Sequence, residues 1–274
     1  VPIPQASEDW AATKAAYRFF ENPKVSASRI LAPHQQRTCA RMVGQSRVFA
    51  VQDTCYLNYS SHATTDGLGL IGSEEDGQVG LIMHSTLAMT PQGLPLGVLT
   101  QEIWAREEAE PEVDAAARRA QRRQRPIEAK ESYKWLKAVQ ETVALSPEGV
   151  EVVHVCDSEA DIYEMFQEVL DLGATMVVRA SQDRAVGDSG RMRQVLSQRP
   201  VSGHLKVEIP AQRGRAARTA TVEVRYGDLT LRPPYRAPAC QVHLRPVTLS
   251  VVWVREIDAP ATVAFDQKLR IHLV

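Results

Sequence analysis

Apolar positions in the first 45 residues recur at helical spacing, and beyond them they gather into short runs of strand length. Residues 7 to 45 read as helical, with Ser7 or Asp9 as the N-cap, and "NPKVSASRIL" breaks the run and opens a second, serine-capped helix. "RVFAVQDTCYLNYSSH" then predicts a short apolar strand that ends on Asp53. After a polar, glycine-containing loop over residues 60 to 79, "GLIMHSTLAMT" and "LPLGVLTQEIW" are two strands joined by Pro91, Gln92 and Gly93, which is hairpin chemistry. Three antiparallel strands in a row are expected.

Residues 105 to 130 hold an acidic stretch followed by "RRAQRRQR", the pattern of an exposed linker or helix face. In "EAKESYKWLKAVQETVAL" the positions Tyr133, Leu136, Val139, Val143 and Leu145 fit an amphipathic helix. "VEVVHVCDSEADIYEMFQEVLDLGATMVVRAS" reads as strand, helix, strand, a parallel βαβ unit. From residue 181 to 257 short alternating stretches separated by Gly and Pro indicate a β-rich insertion, and the last 17 residues are too few for a helical layer. Three antiparallel strands, a helix, a strand, a helix and a strand outline an α/β fold of the RNase H-like type: a mixed sheet flanked by helices, with a β-rich insertion subdomain. The expected division is 1–45 helical, 46–180 core, 181–257 insertion and 258–274 an atypical tail.

Composition adds constraints. At 274 residues, 44% hydrophobic and 24% charged, the chain is long enough for a substantial core and has no signature of disorder. No apolar run reaches the roughly 18 residues a membrane span needs, and "VPIPQASEDW" does not resemble a secretory signal. Cys39, Cys55, Cys156 and Cys240 are far apart, which suits free thiols in a reducing cytoplasm. The net charge of -1 conceals a basic stretch: Arg179 to Arg225 holds ten Lys or Arg against four Asp or Glu. Such a stretch is either a solvated arginine-rich surface or a polyanion contact.

In the RNase H-like outline the strands leading to Asp53 and Asp157 are neighbours, so both carboxylates emerge at one edge of the sheet. Two hard oxygen donors converging from separate strands suit Mg²⁺ or Mn²⁺, and a carboxylate pair can hold cations for two-metal phosphoryl transfer. Each aspartate also has a plain structural role, Asp53 as a turn residue and Asp157 as the N-cap of the helix opened by "DSEAD". His84, His154, Cys55 and Cys156 could be drawn as a zinc site, but their spacing is unlike finger patterns, and the two cysteines read as buried small hydrophobes.

The segments "AVQDTCYLNYSSH", "GLIMHSTLAMTPQGLPLGVL", "EAKESYKWLKA", "VVHVCDSEADIYEMFQE" and "MVVRAS" resemble, in order, the motifs of bacterial cut-and-paste DDE transposases of the insertion-sequence-four and transposon-five branch. "AYRFFENPKVSASRIL" is similar to the segment just ahead of that family's catalytic domain, so the resemblance runs over roughly residues 14 to 257. It implies that Asp53 and Asp157 are the first and second metal-binding carboxylates, with Mg²⁺ or Mn²⁺ as cofactor. It also implies that Arg179 lies near the DNA backbone and that the "QRGRAART" loop, with Arg213, Arg215 and Arg218, contacts DNA. The structural alternative for Arg179 is a strand-end salt bridge. The implied partner is double-stranded DNA, as transposon ends and target, with a homodimer in a full-length protein and a bacterial, nucleoid-associated location.

The pattern breaks at the third carboxylate. The family places a glutamate on a helix after the insertion, within a block of tyrosine, arginine, glutamate and lysine. Here "VVWVREID" leads into "TVAFDQKLRIHLV". Glu256 matches a position before the insertion returns to the core and is not that glutamate. The arginine-rich stretch Arg118 to Arg125 is a further departure. The expectation is a truncated copy of such a transposase, with a non-catalytic DNA-binding fragment or inhibitor of transposition as the alternative.

Overall fold

The structure is a computed structural model that describes residues 2–7, 9–62, 64–72, 76–107, 120–121, 124–188, 190–211, 216–234, 244–259 and 270–273. Three helices come first: α1 (Ile3–Ala6), α2 (Trp10–Glu21) and α3 (Ala27–Met42). The Asp9 carboxylate accepts from the Ala12 amide at 2.7 Å and starts α2. Asn22, which precedes a proline and therefore avoids helical backbone, ends it. Ser26 caps α3 through the Arg29 amide. The two expected helices and the break between them are thus present.

The first sheet contains β1 (Arg47–Asn58), β2 (Gly69–Leu70), β3 (Val79–Met89), β4 (Pro95–Trp104), β5 (Glu151–Cys156) and β6 (Thr175–Val178). β4, β3, β1, β5 and β6 lie side by side in that order, and β2 shares the β4 edge of β3. β3 is antiparallel to β1 and β4, whereas β5 runs parallel to β1 and to β6. α4 (Tyr133–Leu145) follows β4, and α5 (Tyr163–Asp171) connects β5 to β6 as the βαβ unit requires. One expectation needs correcting. β1 does not stop at Asp53 but pairs with β3 as far as Asn58, so Asp53 lies within the strand.

A second sheet is built from β7 (Ala185–Val186), β8 (Gly190–Arg191), β9 (Gly203–Ile209), β10 (Arg218–Leu231), β11 (Val247–Glu256) and β12 (Arg270–Leu273), with α6 (Met192–Ser197) between β8 and β9. β10 is central, with β11 on one side, and β12 extends the sheet beyond β11. Residues 270–273 of the tail therefore join this sheet.

Two clusters form the interior. Met42 of α3 packs with Val48, Ala50, Ala88, Leu96 and Leu99 of the first sheet. A larger cluster joins Trp135, Tyr163 and Phe166 of α4 and α5 to Val178, Met192, Leu196, Leu229, Leu231, Val251 and Trp253, so the helices are shared with the second sheet. Burying each large apolar side chain contributes about 1.5–3 kcal/mol. Among the described residues, no helix is long and apolar enough to cross a membrane.

Candidate functional site

The parallel pairing of β1 with β5 matches Arg47 to Glu151 and continues to Val51 and Val155. Two residues further along each strand stand Asp53 and Asp157. The pairing of β5 with β6 ends at Cys156 and Val178, and the next residues are Asp157 and Arg179. All three residues therefore follow closely on the paired segments of three neighbouring strands, Asp157 and Arg179 standing just past the ends of β5 and β6. Neighbouring strands in a sheet are about 4.8 Å apart. Side-chain alternation puts Asp53 and Asp157 on the face opposite Gln52 and Cys156. Asp53 is exposed and Asp157 half-buried.

Asp53 is held by the backbone of β1 and accepts from the Thr54 amide at 2.8 Å. Asp157 follows the last residue of β5 and caps a 3-10 turn over Ser158–Ala160, accepting from the Glu159 amide at 2.8 Å. Its capping role is present, and its other oxygen remains available for a further contact. Arg179 donates its backbone N–H to the Cys156 carbonyl and its guanidinium to the Ser158 hydroxyl at 3.2 Å. No ion pair involving Arg179 occurs among the described residues, and its side chain is exposed.

Behind the carboxylates, on the buried face, lies a polar chain that sequence reasoning missed. The His84 Nδ1 is 2.9 Å from the Thr54 hydroxyl, its Nε2 is 3.3 Å from Gln52 Oε1, and Gln52 Nε2 is 3.3 Å from His154 Nδ1. Gln52, His84 and His154 are each at most 3% exposed. The available signal was polarity out of place: Gln52 continues the buried positions Val48 and Ala50, and His84 and His154 interrupt apolar strands. Burial holds the His84 imidazole down at about 4, with the Lys134 charge lowering it further and the Asp157 charge opposing. Burial alone does the same to His154.

Lys134 at the start of α4 is nearly buried between Trp104 and Trp135, with its ammonium 3.6 Å from Glu159 and 3.8 Å from Glu131. It ties α4 to the turn that follows Asp157. The Cys156 thiol is pushed up to about 12 by burial and by the Asp157 charge, so it is inert and packed as expected. Cys55 is a correction: it is exposed, because it shares the face of Asp53 rather than that of Gln52. Gln52 stands between the two histidines, and among the described residues no group of three or more His, Cys, Asp or Glu could hold a metal ion. The zinc drawing has no geometric basis.

The remaining arginines fare differently. Arg213 and Arg215 lie outside the described residues, as do Arg118, Arg119, Arg122 and Arg123. Arg218 is described, and its guanidinium makes a two-pronged ion pair with Glu256, whose side chain is fully buried. This pair ties β10 to β11, so Arg218 is occupied and Glu256 is structural.

Residues 1–25 match the transposase DNA-binding family. That segment contains α1 and α2. α2 leaves Trp10, Tyr17 and Phe20 exposed, with the Lys14 ammonium 5.5 Å from the Trp10 ring. Among solved structures the chain is similar to piggyBac transposase, seen by cryo-EM in a synaptic complex with hairpin DNA. The likeness has 11% identity and a TM-score of 0.33, and covers 94% of this chain and 43% of that one. The chain thus spans less than half the length of that transposase.

Proposed function

We propose that this chain is the core of a DDE-type transposase of the insertion-sequence-four and transposon-five branch. In this reading residues 46–180 are an RNase H-like catalytic core and residues 181–257 its β-rich insertion. The observation that carries it is that Asp53, Asp157 and Arg179 all follow closely on the paired segments of three adjacent strands. The strand order, three antiparallel strands followed by two parallel ones, supports the same assignment. The transposase-type segment at residues 1–25 supports DNA as the partner.

The donor set fits Mg²⁺ or Mn²⁺, which bind through one or two carboxylates completed by water and substrate phosphate oxygens. Bound there, such a cation supplies an activated water and neutralises charge that builds on the phosphate. The chain's own contribution is placement. Asp53 on continuous strand and Asp157 on a capped turn present their oxygens from rigid backbone, and the preorganised arrangement spares reorganisation during reaction. Arg179, oriented by Ser158, faces the DNA backbone, where a guanidinium can grip a phosphate in two-pronged fashion. Hydrolysis at a transposon end, followed by attack of the freed 3′-OH on target DNA, is the reaction class.

A second reading, a DNA-binding fragment without catalysis, is favoured by where the family match falls: on residues 1–25 and not on the carboxylates. Nicking of labelled duplex in Mn²⁺ separates the two. The informative variant is Asp157→Asn, because Asn is as good an N-cap as Asp and the turn is kept while the charge is lost. Cleavage by the unmodified chain that disappears in Asp157→Asn, with melting temperature unchanged, supports the transposase core. Salt-sensitive binding with no nicking in either protein supports the fragment.

A further inference from the structure

The polar chain behind the carboxylates has a direction. Gln52 Nε2 can only donate, so His154 Nδ1 accepts and the neutral ring carries its proton on Nε2. Gln52 Oε1 can only accept, so His84 donates from Nε2 and its Nδ1 accepts from the Thr54 hydroxyl. With the Gln52 amide in this orientation the links run from Thr54 to His84 to Gln52 to His154, and the chain ends on the His154 Nε2 group, which is buried without a partner among the described residues. An orphaned donor is a cost that a purely apolar core would not carry.

The links cross three strands. Thr54 and His84 are direct cross-strand partners of β1 and β3. Gln52 pairs with Thr86 on one side and follows Val51, the partner of Val155, on the other, so its amide reaches diagonally to both histidines. Two members of the chain, Gln52 and Thr54, flank Asp53 in β1. The Trp135 ring meets His84 edge-on at 4.5 Å and closes the assembly from α4.

We propose that Gln52, with His84 and His154, is the positioning element for Asp53. The bonded row clamps β3, β1 and β5 together at the point where β5 ends and β1 runs on alone with β3. It fixes the level and twist of β1 there, and hence the Asp53 carboxylate relative to Asp157. This role rests on reading Asp53 as a metal-binding carboxylate, and its first readouts need no metal.

Nitrogen NMR of the full chain without metal should show both His84 and His154 protonated on Nε2, and Nδ1 protonation at either ring would overturn the relay. Gln52→Leu should move or broaden the Asp53 carboxyl carbon signal and weaken Mn²⁺ binding roughly tenfold or more, the scale seen when groups that orient metal ligands are lost. Tyr163→Phe, which removes hydrogen bonds to the second sheet, should leave both unchanged at a comparable loss of melting temperature. Equal effects from the two variants would reduce Gln52 to a structural residue. If Gln52→Leu does not fold, Thr54→Val, which deletes only the terminal donor, should still shift the His84 nitrogens and the Asp53 signal. Failure of the unmodified chain to bind Mn²⁺ would overturn the metal reading alone, because the nitrogen and carboxyl signals decide the relay without it.

Discussion

Two buried imidazoles make the first sheet sensitive to acid. His84 and His154 titrate at about 4 in the folded chain, against 6.5 when unfolded. Their stabilising contribution is fully present above pH 6.5. As the pH falls towards 4, the unfolded chain takes up protons that the folded chain refuses, so stability drops by up to about 1.4 kcal/mol per pH unit for each ring. Urea unfolding should therefore shift to lower midpoint between pH 7 and pH 5, and His154→Leu, which also removes the orphaned Nε2, should roughly halve that slope. A midpoint that is flat over this range would mean the two rings are protonated or hydrated in the fold. At this scale the sequence was legible where identity and position coincide: Asp53 and Asp157 each come two residues beyond the paired Val51 and Val155 of neighbouring strands, although Asp53 lies inside β1 rather than at its end. It was illegible where burial depends on the opposite strand. Cys55 reads as a core residue beside apolar neighbours, yet pairing with Met83 on the open face leaves it exposed.

Elements were read well where their signals are local. The hairpin of β3 and β4 turns at Pro91-Gln92-Gly93, with Gly93 at φ +87°, and the strand, helix, strand of β5, α5 and β6 follows the apolar periodicity. What α3 does to β4 was hidden, because the partners lie more than 50 residues apart. β4 slips its register against β3 between Thr86 and Leu87, and α3 takes over the groups the irregular ladder leaves. His34 Nε2 accepts from the Val98 amide at 2.9 Å, Gln35 donates to the Leu99 carbonyl at 2.6 Å, and Arg41 donates to the Leu96 carbonyl. Gly97 makes this approach possible. Its φ is +135°, and a Cβ there would stand 2.3 Å from Thr38 Oγ1 and 2.7 Å from Arg41 Nη2. Gly97→Ala should cost about 2–4 kcal/mol, combining backbone strain with a clash in a packed layer. Gly93→Ala, with nothing within 4 Å of its Cβ, should cost only the strain, about 1 kcal/mol. Chemical denaturation of the two variants compares them directly, and equal losses would mean that α3 yields without cost.

At the scale of the whole molecule, the change to short alternating stretches after residue 181 announces a second sheet, but nothing in it tells how that sheet is fastened. The fastening comes from the motif that also supplies Asp157. The Asp161 carboxylate, fully buried, accepts from the Ser181 amide at 2.8 Å, the Gln182 amide at 2.7 Å and Arg184 Nε at 3.0 Å. It thereby gathers the chain where it leaves β6 for the second sheet. The Arg184 guanidinium also lies 5.2 Å from the Phe166 ring and 5.6 Å from the Tyr163 ring. Tyr163 in turn shares its hydroxyl proton between the carbonyls of Leu231 and Arg245. One helix start thus holds both the entry and the far strands of the second sheet. Removing one partner of a buried ion pair leaves the other charge uncompensated, so Arg184→Met should cost about 3–5 kcal/mol. Adding Asp161→Asn should recover part of that loss, because an amide needs no counter-charge. The damage should also be local. Amide exchange in β10 and β11 should accelerate in Arg184→Met while the amides of β1 and β3, whose Val48, Ala50 and Ala88 belong to the separate cluster around Met42, keep their protection, since cooperative units open separately. Equal acceleration in both sheets would show that they unfold as a single unit, with the Asp161 joint setting the stability of the carboxylate edge as well.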